Sequence, residues 1–175
     1  MRTPERPTPK RTNNVLLPTL LDRLKDDAPQ RQSEAAHEYS VTRAQLRDII
    51  QRDLAYLLNT TNASRSIDRS LHPEAASSVI NFGLPPISGG YQSGRKWADL
   101  RGLILQAIHD FEPRIEASSL QVEPIRDAGQ DPRYNVLPFE IRGRILMEPY
   151  PLEFLVQSSI DLESNRMILS PAHPR

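Results

Sequence analysis

The chain has 175 residues, no cysteine, and 22 basic against 22 acidic side chains. That length suits one domain, or one domain with a tail. Without cysteine there is no disulfide framework, thiolate zinc site or thiol catalysis. Zero formal net charge argues against a general nucleic-acid binder, which needs a basic face for phosphates. The longest apolar runs are four or five residues, against the ~20 that span a bilayer, so no direct membrane insertion is expected. The polar, proline-bearing start does not read as a secretory signal.

Residues 1–14 hold Pro4, Pro7 and Pro9, with Arg2, Arg6, Lys10 and Arg11 against Glu5. A segment this polar cannot bury enough surface to offset its ordering entropy, so it reads as an arm. Leu17, Leu20, Leu21 and Leu24 then recur at i, i+3, i+4, i+7, the stripe of a short amphipathic helix over 15–24. Residues 25–39 are polar again and read as a linker. The helix between them either packs on its own domain or enters a groove on another protein; the pattern leaves both open.

Ser40 is expected to cap a helix running to Asn59, with Leu46, Ile49, Ile50, Leu54, Leu57 and Leu58 on one side and Arg47, Asp48, Gln51 and Arg52 on the other. Asn59 itself reads as a C-terminal cap. Residues 59–73 are turn-rich. Residues 77–84 read as a short strand or extended segment ending at Gly83, followed by a breaker-rich loop through Pro85, Pro86, Gly89 and Gly90. A second amphipathic helix covers 93–110, with Trp97, Leu100, Ile104, Ile108 and Phe111 on its stripe. Pro113 disfavours helical backbone at Glu112.

The period then changes from 3.6 to 2. Strands are expected at 120–123, 139–145 and 152–160, with 147–151 as a hairpin loop, and a final edge strand at 167–169. Helices followed by consecutive strands predict an α+β domain: amphipathic helices packed on a small antiparallel sheet. The expected organisation is an N-terminal arm with its short helix (1–39), one compact domain (40–170) and a tail (171–175).

Chemistry is sparse. His37, His72 and His173 fall in linker, loop and tail. His109 and Glu112 are spaced i, i+3, at best half a metal site. Nucleophile-elbow and phosphate-loop patterns are missing, and no cofactor or metal is expected. Glu112 is the best candidate for a glycosidic general acid. The guanidinium of Arg114, two residues on, favours the charged carboxylate, the opposite of what a proton donor needs.

Phe111-Glu112-Pro113-Arg114-Ile115, at the end of an amphipathic helix and before a small sheet, resembles the baseplate wedge family of contractile tails. More closely, the chain is similar to the TssE family of type VI secretion systems. Three further stretches agree in order: residues 16–24 (LLPTLLDRL), 52–60 (RDLAYLLNT) and 78–85 (SVINFGLP). Threonine at 19 and isoleucine at 115 stand where serine and leucine are common in the family.

The resemblance implies a compact α+β fold and a non-catalytic structural subunit in the cytoplasm, on a baseplate at the inner face of the inner membrane. It implies partners: the TssF, TssG and TssK wedge subunits, and the TssB–TssC sheath whose polymerisation it helps start. A muramidase using Glu112, and a soluble adaptor with the same fold, are the alternatives. The residues alone favour Glu112, Pro113 and Arg114 as an internal clamp. The resemblance tips them toward a partner-facing anchor, in which arginine offers its fork to a carboxylate. Leu17, Leu20, Leu21 and Leu24 are the second expected partner surface. A free sheet edge at 167–169 or 120–123 is a third, able to accept a strand from a sheath subunit.

Overall fold

The computed structural model describes residues 19–25, 29–31, 40–87, 94–125, 136–161, 163–164 and 166–171. The helices are α1 (Leu20–Leu24), α2 (Arg43–Asn59), α3 (Pro73–Ala76) and α4 (Gly94–Phe111). The strands are β1 (Gln121–Pro124), β2 (Val136–Ile145), β3 (Leu152–Asp161) and β4 (Arg166–Pro171). They form one antiparallel sheet in the order β1-β2-β3-β4. The expected α+β class is what the chain adopts.

Alternation fixes the register. Val122 lies opposite Ile141, Ile141 opposite Val156, and Ile160 opposite Met167, so all of these point to one face. A slip of one residue would turn the whole set outward. Long α2 and α4 cover this face with Leu46, Ile50, Leu54, Leu57, Leu100, Ile104 and Ile108, and together they make one core. Each fully buried aliphatic side chain contributes about 1.5–3 kcal/mol. The opposite face carries Glu140, Arg142 and Arg144, with Arg142 bridging to Glu140 at 2.5 Å.

Three expectations change. Thr42, not Ser40, caps α2: its side chain accepts from Gln45 N, and the Gln45 side chain accepts from Thr42 N (2.8 Å). This reciprocal box fixes the start at Arg43. Residues 77–84 are not a strand. Pro73 opens α3, and Val79–Asn81 make a 3-10 turn. Ser78 and Phe82 have extended backbone on either side of that turn, but the segment's one bridge is an isolated parallel one between Leu84 and Thr61. Asn81 explains the departure: its amide donates to Ala76 O (2.9 Å) and Ser64 Oγ (3.1 Å), and its oxygen accepts from Ala63 N (3.0 Å). An asparagine that satisfies nearby backbone competes with a sheet ladder.

The third change concerns the sheet edges. Asn59 lies in the last turn of α2 rather than beyond it. Its amide donates to Met167 O (2.9 Å), and its oxygen accepts from Met167 N (2.9 Å). One side chain thus occupies the backbone pair that a fifth strand would use at the start of β4. Gln51 reaches Leu169 O at 3.5 Å. On β1, Arg101 donates to Val122 O (2.9 Å), and Pro124 has no N–H to offer. Both expected edges are therefore edges of the sheet but are partly closed by helix side chains, a common way to blunt unpaired strands. Asn59→Ala removes two bonds to β4 and is expected to cost about 1–2 kcal/mol. Urea unfolding reads that loss, and amide exchange at Met167 should accelerate beyond the global effect.

Candidate partner-binding site

The FEPR run is a turn that carries the chain from α4 to the sheet. Glu112 N still donates to Ile108 O (2.9 Å), and Ile115 N donates back to Glu112 O (3.2 Å). Beyond the turn, Leu146 N donates to Arg114 O (2.7 Å), Glu116 N donates to Arg144 O (2.8 Å), and Ile115 bridges Ile145. Gly143 leaves room for this approach, since a Cβ there would stand 3.0 Å from Ile115 Cγ2. Phe111 packs edge-on against Phe82 at 5.4 Å, so the turn is also tied to the 78–85 segment.

Glu112 is buried, with 4% of its surface exposed. Arg114 Nε donates to its Oε1 (2.6 Å), Arg114 Nη2 donates to its Oε2, and Arg114 N also reaches Oε1 (3.2 Å). Both carboxylate oxygens are engaged inward, which leaves a glycan strand no approach to them. Pro113 is exposed at the tip of the turn. Arg114 is half-buried, and its Nη2 also donates to Asp53 Oδ2 (2.7 Å). Burial works against the Arg114 charge, but the hydrogen bonds to Glu112 and Asp53 outweigh it and hold the guanidinium firmly protonated.

From Asp53 the pairing continues. Arg52 donates to Asp53 Oδ1 through Nη2 (2.8 Å) and Nε (3.0 Å). It also grips Asp22 with both terminal nitrogens, at 2.5 and 3.1 Å. Asp22 belongs to α1, where Thr19 caps the helix and bonds the same carboxylate. Five charges of alternating sign thus run Glu112–Arg114–Asp53–Arg52–Asp22, from the end of α4 across α2 to α1. They join three of the four stretches singled out in the sequence. Arg52, Asp53 and Asp22 were not among the expected site residues. Arg52 sits on the polar side of α2 and read simply as solvated.

Helix α1 buries no residue. Leu20, Leu21 and Leu24 are 70%, 78% and 72% exposed, so this stripe does not pack on the domain's core; Leu17 lies outside the described residues. The Arg52 and Thr19 hydrogen bonds pull the Asp22 carboxyl down to about 2 from its usual 3.8. A carboxyl depressed on folding contributes stability above its unfolded value and loses it as pH falls through the folded one. The α1 attachment is therefore expected to be complete above about pH 4 and to fail toward pH 2. Backbone amide shifts of residues 20–24 across an acid titration would show it.

His109 is largely exposed, with Nδ1 3.5 Å from Asp110, while Glu112 faces Arg114. Among the described residues no group of three or more His, Cys, Asp or Glu could hold a metal ion, and no helix is long and apolar enough to cross a membrane.

A two-layer domain whose charged motif residues are paired inward, and whose leucine helix faces outward, has the build of a part made for assembly. The family model for baseplate wedge protein gp25 matches residues 44–150, more than half of the chain. The chain belongs to the baseplate wedge gp25 family, and its role is that of a baseplate structural component. The matched stretch holds Arg52, Asp53, the 78–85 segment and the FEPR turn; α1 precedes it. Neither the curated proteins nor the solved structures yield a match.

Proposed function

We propose that the chain is a non-catalytic wedge subunit of a type VI secretion baseplate. It joins the TssF, TssG and TssK subunits at the cytoplasmic face of the inner membrane and helps to start the TssB–TssC sheath. The observation that carries this reading is the leucine surface of α1, set beside a family membership that calls for partners. Helix-in-groove recognition uses anchors at i, i+3, i+4 and i+7 on one side of a helix; Leu21 and Leu24 are spaced i, i+3, and Leu20 and Leu24 i, i+4. Exposed leucines clustered on one element mark interaction sites more often than solvated surface.

The FEPR turn enters this reading differently from its two neighbours in sequence. Glu112 supports the contact from inside, and exposed Pro113 with the outer edge of Arg114 forms the surface a partner meets. For the sheath, β4 beyond the Asn59 clamp, around Leu169–Pro171, keeps only a narrow pairing edge, because Gln51 reaches Leu169 O and Pro171 has no N–H to donate. A strand added there would extend the sheet by backbone pairing.

The test is a pull-down against co-expressed TssF and TssG candidates. It compares the wild type, a Leu20→Ala/Leu21→Ala/Leu24→Ala variant and a Glu112→Ala/Arg114→Ala variant, with circular dichroism on each. The wild type is expected to be captured and the leucine variant lost, with its fold intact. Equal capture of both would remove α1 from the interface. Failure of the wild type itself would leave the soluble-adaptor reading in its place.

A further inference from the structure

The five-charge run has a property that no single pair in it has. Each interior member is held between two opposite charges. Arg114 lies between Glu112 and Asp53, Asp53 between Arg114 and Arg52, and Arg52 between Asp53 and Asp22. Asp53 is the pivot. It takes Arg114 on one oxygen (2.7 Å) and Arg52 on the other (2.8 Å), so the two guanidinium groups are fixed relative to each other. Arginine suits this because its planar fork bonds two carboxylates in set directions, which a lysine ammonium does not.

The ends of the run differ in kind. Glu112 is at the most buried end. Asp22 is at the other, on a helix that buries nothing. A helix of five residues has little stability of its own, because nucleation costs more than so few hydrogen bonds return. Its place on the domain must come from outside contacts, and Arg52 supplies a bidentate one. Arg52 is held on its other side by Asp53, which also takes Arg114, the partner of Glu112.

We infer that Glu112, Arg114 and Asp53 are positioning residues for α1: through Arg52 they set where the Leu20–Leu21–Leu24 ridge stands on the domain. The FEPR turn then acts on partner binding at a distance, as the rigid base of an ion ladder whose far end is the partner-facing helix. What the ridge is for rests on the proposed function. How it is held does not, and the test reads only the latter.

The native chain has no cysteine, so a labelled pair can be introduced cleanly. Arg23 on α1 and Arg47 on α2 are exposed and outside the ladder. Spin labels at Arg23→Cys and Arg47→Cys on the full chain report the α1–α2 distance by double electron–electron resonance. The parent pair is expected to give one narrow distribution. Asp22→Asn, which cuts the last rung, is expected to give a broad one. The decisive variants are Asp53→Asn and Glu112→Gln, neither of which touches α1. Both are expected to broaden the distribution to nearly the Asp22→Asn width, at a temperature where circular dichroism shows the domain folded. Raising the salt is expected to do the same to the parent, since exposed pairs are screened.

A narrow distribution in Asp53→Asn and Glu112→Gln beside a broad one in Asp22→Asn would overturn the inference, leaving a local ion pair. A narrow distribution in Asp22→Asn would overturn it as well, because α1 would then be held by other contacts. Should Glu112→Gln fail to fold, Arg114→Lys decides the same point. Loss of partner capture with an unchanged distance would count against the ladder while leaving the baseplate reading intact.

Discussion

Replacing Gly83 by alanine lowers the stability of the domain by about 3 kcal/mol, the sum of backbone strain and a broken strand bridge. Gly83 has φ +120°, in the region that L side chains rarely adopt. Space closes the position a second time. A Cβ there would stand 2.2 Å from Thr60 O and 2.7 Å from the Thr60 carbonyl carbon. Those are backbone atoms, and they cannot swing aside as the end of a long side chain does. Thr60 O is already the acceptor for Leu84 N (2.8 Å), and Asn62 N donates to Leu84 O (2.9 Å). Asn62 also donates through its amide to Gly83 O (2.7 Å). Relieving the clash means separating two segments that these bonds hold together. Asn81, with its three bonds, would lose its frame at the same time. In urea the midpoint is expected to fall with the slope unchanged, since the surface exposed on unfolding stays the same. An alanine variant as stable as the wild type would show that the 60–62 and 82–84 segments are not joined this closely.

The parts of the fold that could be read from the sequence are those where one periodicity runs long enough to dominate. Leu46 to Leu58 and Leu100 to Ile108 mark the buried sides of α2 and α4. Phe139 to Ile145 and Leu152 to Ile160 mark the central hairpin. The 77–84 segment misled because its four apolar side chains, Val79, Ile80, Phe82 and Leu84, carry no sustained period of their own. Its conformation is decided by Asn81 and Gly83, through contacts to residues 60–64 that lie far away in sequence. The start of α2 was displaced by a similar cause, since Ser40 and Thr42 both have the right chemistry and only Thr42 has Gln45 three residues on.

The candidate site was legible in pieces. Glu112 and Arg114 drew attention through the chemistry of an acid beside a base. What local reading misses is the partner 61 residues away, the distance in sequence between Asp53 and Arg114. One signal was present. Each of the three joined stretches carries an acid and a base side by side or one residue apart: Asp22 with Arg23, Arg52 with Asp53, Glu112 with Arg114. Asn59 was similar: a helix-end asparagine reads as a cap, and its use as a clamp on β4 appears only once the sheet lies beside it.

Glu112→Ala is expected to cost about 2–3 kcal/mol and to do so by leaving Arg114 stranded. Removing one member of a buried ion pair costs about 3–5 kcal/mol, largely through the charge left behind. Here the arginine side chain keeps 30% exposure and its bond to Asp53, which brings the figure down from that range. The origin of the loss can be separated by a double-mutant cycle. If it comes from stranding Arg114, then Arg114→Ala in the Glu112→Ala background adds little, and the double variant is far more stable than two independent losses predict. If Glu112 acts mainly by filling space at the end of α4, the two costs add. Replacement by glutamine separates the charge from the shape. It keeps the side-chain volume and one acceptor for Arg114 and removes the negative charge, so it is expected to fall between wild type and alanine. A glutamine variant as stable as wild type would mean that the charge of Glu112 contributes nothing. The buried end of the run would then be a packing site. A loss equal to that of alanine would put the whole effect in the paired charge, with nothing left for side-chain volume or the remaining acceptor.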